Sequence, residues 1–200
     1  MIGIIDYGVG NLFSLCASCR AIGEETFISG DPAALAKADR LILPGVGAFP
    51  DAARKLRDTG MADFVREQAA GGRPLLGICL GMQLLFEQSC EYGRHPGLGL
   101  LKGQVVPMEG RLPAGLKIPH MGWNSLEVRG GQLLSGLDGQ YVYFVHSFFA
   151  ENCGRSLSAV TRYGIPITAA VEQDNIYGCQ FHPEKSGNVG LSILRAFSRV

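Results

Sequence analysis

Residues 74–87 read PLLGICLGMQLLFE and organise the rest of the chain. The apolar run Leu75–Ile78 predicts a short buried strand, and the following residues predict a helix that begins near Leu80. Cys79 lies at the joint, with a glycine two residues away on each side. This pattern is typical of a sharp strand-to-helix turn, called an elbow here, in which the glycines relieve crowding and the central side chain is pushed outward. Because a helix N-terminus favours thiolate over thiol, we interpret Cys79 as a nucleophile rather than a core cysteine.

The chain before residue 90 alternates short apolar strands with helical patterns. Strands are predicted at 1–6, 25–28, 41–43 and 75–78, each followed by a helical pattern. Such alternation predicts an α/β fold of the flavodoxin-like kind, with a mostly parallel sheet and helices on both faces. The later, β-rich stretches are expected to add antiparallel strands to that sheet, so that residues 1–200 form a single domain.

Composition excludes several classes of protein. The chain has 200 residues, 46% hydrophobic and 18% charged, with zero net charge, which describes a compact globular protein with no preference for nucleic acid or an acidic membrane. Six cysteines without a regular framework, no signal peptide and no membrane-spanning stretch predict a cytoplasmic protein. No Cys, His or carboxylate group has the spacing of metal ligands, so we predict neither a metal nor another cofactor.

A catalytic thiolate needs a base, and the base needs an orienting group. Among four histidines, His182 follows an apolar strand at its carboxyl end, which is the edge where Cys79 is expected. Pro183 favours an extended His182, and residues two apart in an extended chain point the same way, so Glu184 can reach the imidazole. The sequence therefore predicts a Cys79–His182–Glu184 triad.

Several segments together carry a resemblance to a known family. The stretch 77–87 and the later Gln180-Phe181-His182-Pro183-Glu184 resemble the class I, triad-type glutamine amidotransferases. Residues 6–12, 43–49, 119–124 and 144–147 are similar to the glutaminase subunits of imidazole glycerol phosphate synthase, so that the resemblance covers nearly the whole chain.

The resemblance implies hydrolysis of glutamine through a thioester on Cys79, with His182 moving protons and Glu184 orienting it. It implies an oxyanion site made by the backbone of Leu80 and of the loop Gly45-Val46-Gly47. The remaining substrate contacts it implies are Gln83, Glu87, His146, Ser147 and Phe148. Gln83 and Glu87 are expected on one face of a helix after Cys79, because they are four residues apart.

The resemblance also implies a partner. Free ammonia is protonated in neutral water, so a cyclase barrel subunit is expected to dock over the site and receive it in a heterodimer. That subunit would form imidazole glycerol phosphate and an aminoimidazole carboxamide ribotide. Residues that match positions near the junction are Asn11, Met121, Trp123 and Tyr143.

Three alternatives stay open at this point. The same chemistry can serve another acceptor, such as a sugar-modifying synthetase. A flavodoxin-like hydrolase or stress protein with an exposed elbow cysteine belongs to another class, and a third alternative is a non-catalytic binding subunit. One departure concerns Phe148, which stands where the family more often has tyrosine, so a role for that hydroxyl is not expected.

Overall fold

The computed structural model describes residues 1–200, which form fourteen strands and six α-helices. The strands are β1 (Ile2–Ile5), β2 (Thr26–Ser29), β3 (Arg40–Leu43), β4 (Leu75–Ile78), β5 (Phe86–Ser89), β6 (His95–Pro96), β7 (Leu101–Pro107), β8 (His120–Ser125), β9 (Glu127–Val128), β10 (Tyr141–His146), β11 (Phe148–Glu151), β12 (Leu157–Tyr163), β13 (Ile165–Gln173) and β14 (Ile176–Cys179). The helices are α1 (Leu12–Ala21), α2 (Pro32–Leu35), α3 (Phe49–Asp58), α4 (Met61–Ala70), α5 (Leu80–Leu84) and α6 (Gly187–Phe197). None of these helices combines the length and the apolar composition needed to cross a bilayer.

The main sheet has eight strands in the order β2-β1-β3-β4-β14-β13-β12-β9. Its first five strands are parallel, and β13, β12 and β9 extend it in antiparallel pairing. The predicted α/β fold is therefore confirmed, with a mostly parallel sheet and antiparallel strands added from the later half of the chain.

Two hydrophobic cores lie on opposite faces of this sheet. Along β1, Ile4 packs in the core that α1 and α6 cover, whereas Ile5 packs in the core that α3 and α4 cover. The same alternation places Ile42 with α1 and α6 and Leu43 with α3 and α4. Strands covered on both faces read as continuous apolar runs, which is why the sequence marked them clearly.

The later β-rich segments do not all join the main sheet, which corrects the prediction that they would. β10 pairs with β8 in a separate two-stranded sheet, and β7 lies in a four-stranded sheet with β11, β5 and β6. Strand propensity shows that a segment fits a pleated surface but not which strand it pairs with.

The parallel strands bring the reactive loops to one edge. β14 pairs with β4 so that Cys179 lies beside Ile78, and the chain after each strand carries His182 and Cys79 respectively. β3 ends beside β4 as well, which places the loop that begins at Pro44 at the same edge. Cys79 and the segment that carries His182 therefore lie at the same carboxyl edge of the sheet, as predicted, and the loop from Pro44 joins them there.

Candidate active site

Cys79 occupies a strained turn between β4 and α5. Its φ of 55° and ψ of −111° are unusual for a non-glycine residue. The flanking glycines are required sterically, because a Cβ on Gly81 would lie 1.9 Å from the Leu43 carbonyl oxygen and one on Gly77 would lie 2.7 Å from the Met82 backbone. The predicted turn is therefore present, and its tightness fixes the direction of the Cys79 side chain.

His182 and Glu184 form a buried pair beside this turn. The two side chains are each 3% exposed, and His182 Nδ1 lies 2.8 Å from Glu184 Oε1. His182 is extended, as predicted, but Pro183–Lys185 forms a 3₁₀ turn rather than continuing the extended chain. The predicted contact is thus present, although a tight turn and not strand alternation brings the carboxylate back to the ring.

The electrostatics of the pair favour a charged imidazole. Burial by itself lowers the pKa of His182, but hydrogen bonds to Cys79 and Glu184 and the charges of both outweigh it and raise the pKa to about 10. With Nδ1 engaged by Glu184, Nε2 is the ring nitrogen left for the thiol. An imidazolium beside a thiol stabilises the thiolate, which is the nucleophilic form.

Two further groups contact the sulfur. The side-chain amide of Gln180 donates to Cys79 Sγ at 3.8 Å, and the Val145 carbonyl oxygen lies 4.0 Å from it. Gln180 in turn accepts a hydrogen bond from Gln83 Nε2 at 3.0 Å. Sequence reasoning placed Gln180 in a recognisable motif but gave it no place in the site.

A cavity of about 530 Å³ opens beside the sulfur. Nine of the predicted site residues line it: Val46, Gly47, Cys79, Leu80, Gln83, His146, Ser147, Phe148 and His182. Its volume is in the range of small-molecule sites.

Gly45 and Glu184 lie behind this cavity. A Cβ on Gly45 would stand 2.8 Å from the Gly81 backbone nitrogen, so the loop rests directly on the elbow. Gly45, Glu184 and Asn11 line a much smaller cavity on the far side of His182. The second carboxylate oxygen of Glu184 has no hydrogen-bond partner in the protein. The structure thus places Asn11 next to His182 and Glu184, two members of the predicted triad.

Glu87 is not where the sequence placed it. Helix α5 ends at Leu84, so Gln83 and Glu87 do not share a helix face. Glu87 lies on β5, is exposed, and accepts a hydrogen bond from the Gly103 backbone at 2.9 Å outside the cavity. The prediction was wrong because apolar spacing alone did not reveal that the helix stops after five residues.

Glu91 is the buried acidic residue among the two that line the cavity, and the other, Glu109, is exposed. It is only 7% exposed, and its Oε2 accepts the Phe49 backbone N–H at 2.8 Å, at the start of α3. Burial raises the pKa of Glu91, and the hydrogen bond from Phe49 opposes that rise. No pattern in the sequence marks this residue, because it lies in a turn after β5 and its contact with the start of α3 joins segments that are distant in sequence.

Two residues predicted near the partner junction are exposed together. Met121 and Trp123 on β8 are 60% and 56% exposed. The Trp123 ring meets Tyr143 edge to face at 6.1 Å between centroids, and the Tyr143 carbonyl accepts the His182 backbone N–H. Tyr143 therefore connects these exposed residues to the predicted triad.

No three His, Cys, Asp or Glu side chains in the chain converge to hold a metal ion.

Comparison with known families gives a match over almost the whole chain. The model of the family "Glutamine amidotransferase class-I" matches residues 4–199. A protein of Caldanaerobacter subterraneus subsp. tengcongensis named imidazole glycerol phosphate synthase subunit HisH is 50% identical, over 100% of this chain and 98% of its own length. Proteins of the same name from Geobacillus thermodenitrificans and Methanothermobacter thermautotrophicus are 50% and 48% identical, over 98% and 100% of this chain and 94% and 98% of their own lengths.

Solved structures share the fold. A crystal structure of a glutamine amidotransferase superposes with a TM-score of 0.77 at 23% identity, covering 98% of both chains. A chain of the structure of PurLQS from Thermotoga maritima superposes with a TM-score of 0.75 at 19% identity, covering 99% of this chain and 97% of that one.

Proposed function

The chain belongs to the class-I glutamine amidotransferase family, and from that membership we propose that Cys79, His182 and Glu184 are its catalytic triad. The Cys79 thiolate attacks the side-chain amide carbon of glutamine, and the amide nitrogen leaves as ammonia with the proton that His182 supplies. A water molecule, deprotonated by His182, then cleaves the γ-glutamyl thioester to glutamate and restores the thiol. Glu184 stays ionised and holds the ring in position throughout.

The cavity supplies groups for each part of the substrate. The Leu80 backbone N–H at the start of α5 and the backbone of the Val46–Gly47 segment, after Gly45, are proposed to meet the oxyanion. The Glu91 carboxylate is suited to the α-ammonium group of glutamine, since it is the buried acidic side chain of the cavity. Backbone of 146–148 and Gln83 form the wall on the other side.

The chain is the glutaminase subunit of imidazole glycerol phosphate synthase and acts in histidine biosynthesis; relatives of that name match it over its full length. We propose that its partner is the cyclase barrel subunit, which combines the ammonia with a phosphoribulosyl-formimino intermediate. The products are imidazole glycerol phosphate and an aminoimidazole carboxamide ribotide. The exposed Met121 and Trp123 beside the triad support docking on this side.

The observation that carries the proposal is the buried His182–Glu184 pair, 2.8 Å apart, whose imidazole lines the same cavity as a cysteine held in a strained turn. Membership of the family speaks against a flavodoxin-like stress protein, and the intact triad speaks against a non-catalytic subunit. A sugar-modifying synthetase as acceptor is disfavoured by the names of the relatives at about 50% identity.

The test is the rate of glutamine hydrolysis by the purified chain with the cyclase barrel subunit, with and without the nucleotide substrate of the barrel. We expect hydrolysis that the liganded barrel stimulates. If hydrolysis occurs only with a different synthetase subunit, the chemistry stands and the proposed partner is wrong. If no partner elicits hydrolysis, the proposed function is wrong.

A further inference from the structure

Three polar side chains connect the exposed strand β8 to the wall of the glutamine cavity. Asn124 Nδ2 lies 3.2 Å from His120 Nε2, His120 Nδ1 lies 3.0 Å from His146 Nε2, and His146 Nδ1 lies 2.8 Å from the Phe148 carbonyl oxygen. Both histidines are buried, and the catalytic steps above use neither imidazole. This chain of contacts therefore needs its own explanation.

The Phe148 carbonyl oxygen, at the end of this series of contacts, fixes which atom donates in every hydrogen bond. A carbonyl only accepts, so His146 carries a proton on Nδ1, and the neutral ring accepts at Nε2. His120 must then donate from Nδ1 and accept at Nε2, where the Asn124 amide donates. The second N–H of Asn124 donates to the Arg162 carbonyl at 2.9 Å. Burial lowers the pKa of His120 to about 4 and that of His146 to about 3, which is consistent with two neutral rings.

The Phe148 carbonyl joins this chain to the nucleophile. It also accepts the Gln83 side-chain amide at 3.1 Å, Gln83 donates to Gln180, and Gln180 donates to Cys79 Sγ. One carbonyl oxygen thus receives hydrogen bonds from both directions. Its position affects the orientation of Gln83 and, through Gln180, the surroundings of the sulfur.

Strand alternation places Asn124 and His120, where the chain of hydrogen bonds begins, directly under the exposed Met121 and Trp123. On β8, Met121 and Trp123 point outward, while His120 is buried and Asn124 is half-buried on the opposite side. The His120 ring is stacked between Phe144 and Tyr163, at 4.8 and 4.2 Å between centroids. A displacement of β8 therefore moves the donor on which His146 depends.

We propose that His120 and Asn124 are positioning residues, which hold the Phe148 carbonyl and Gln83 in place for glutamine through His146. Contact with a partner on the outer face of β8 would act on the glutamine cavity by this route. The inference rests on the proposed function, because it assigns these residues a part in the use of glutamine by that same site.

The kinetic test compares two substitutions of His120 in the complex with the cyclase barrel subunit. His120→Phe keeps an aromatic ring in the stack and removes both hydrogen bonds, so KM for glutamine rises roughly ten-fold, as for the loss of one buried hydrogen bond. The kcat changes by less than about three-fold, because the triad is untouched. His120→Asn presents an amide N–H near the position of Nδ1 and restores part of the lost affinity.

Thr161→Val is the matched control, because it removes a partly buried hydrogen bond from Thr161 to the carbonyl of Ser125, which follows Asn124 on β8 but is not part of the His120–His146 hydrogen-bond chain. It lowers the melting temperature without changing KM. An unchanged KM in His120→Phe, or an equal rise in Thr161→Val, overturns the proposal.

The second measurement does not depend on activity. Long-range ¹H–¹⁵N correlation spectra of the histidine-labelled chain near neutral pH should show both His120 and His146 neutral, with the proton on Nδ1. A proton on Nε2 of His146, or a doubly protonated ring, overturns the chain of hydrogen bonds. If these spectra are as expected while the wild-type complex fails to hydrolyse glutamine, the proposed function fails and the arrangement of the two rings stands.

Discussion

At the scale of single residues, the site depends on which of two nearby carboxylates reaches the cavity. Glu91 is buried in the wall of the cavity and accepts the Phe49 N–H, whereas Glu87 is exposed and accepts the Gly103 N–H. A buried carboxylate keeps more of its electrostatic attraction for a cation than one in water. The two residues therefore form a matched pair for testing the substrate contact.

Glu91→Gln is expected to raise KM for glutamine about 10- to 100-fold, because it removes a charge-assisted contact to the α-ammonium group. The side-chain amide introduced at position 91 still accepts the Phe49 N–H, so the fold is retained. Steady-state kinetics in the complex measure the effect. Glu87→Gln should leave KM unchanged, and equal effects of the two substitutions would contradict the assignment of Glu91.

The histidines make stability depend on pH in both directions. Folding raises the pKa of His182 to about 10, so the folded chain holds a proton that the unfolded chain releases above about 6.5; this stabilisation is lost as pH rises from about 6.5 to 10. Folding lowers the pKa of His120 to about 4 and of His146 to about 3, so the unfolded chain binds protons that the folded one does not, and stability falls as pH drops below about 6.5.

Urea unfolding of the wild type, His182→Asn and His120→Phe across this range tests these signs. We expect His182→Asn to flatten the alkaline decline and His120→Phe to flatten the acid one. An alkaline decline as steep in His182→Asn as in the wild type would show that the His182 proton is not held by the fold.

At the scale of elements, the joint between β4 and α5 requires its glycines. Gly81→Ala places a Cβ 1.9 Å from the Leu43 carbonyl oxygen, so either β3 or the elbow must shift, at a cost of about 1–3 kcal/mol or more. Chemical denaturation and the rate of glutamine hydrolysis both report the change. Gly71→Ala is the control, because Gly71 has a φ of −75° and the nearest atom to an added Cβ is 3.4 Å away. Equal stability of the two variants would contradict this account of the elbow.

The elements also show what the sequence could and could not predict. Runs such as Leu75–Ile78 are apolar because helices cover both faces of the sheet, and their strands match prediction closely. Cys79 came from the glycine-flanked turn and His182 from the rule that loops meet at the carboxyl edge, and both line one cavity in the structure. The end of α5 at Leu84 and the burial of Glu91 depend on contacts between distant segments, which a local pattern does not contain.

At the scale of the whole molecule, the proposed triad lies close to two exposed apolar side chains. Trp123 and Met121 are more than half exposed, and Tyr143 connects them to the His182 backbone. Large aromatic side chains are frequent anchors of protein interfaces. An interface here would place the partner next to the point where ammonia is released.

Trp123→Ala is expected to weaken binding of the cyclase barrel subunit by about 2 kcal/mol or more, since it truncates a large exposed aromatic side chain of the proposed interface. Titration calorimetry of the two subunits measures the change. Ile28→Ala is the control, because Ile28 is also exposed but lies on β2 at the far edge of the main sheet. Equal affinity of the two variants would place the interface elsewhere.

The most direct test of the catalytic assignment is to trap the acyl intermediate. The complex is mixed with glutamine, quenched in acid within one turnover, digested, and analysed by mass spectrometry, with Cys79→Ser as control. We predict a γ-glutamyl adduct on the peptide that contains Cys79, absent from the control. Hydrolysis without an adduct on Cys79, or with the adduct on another cysteine such as Cys179, would contradict the assignment of Cys79 as the nucleophile.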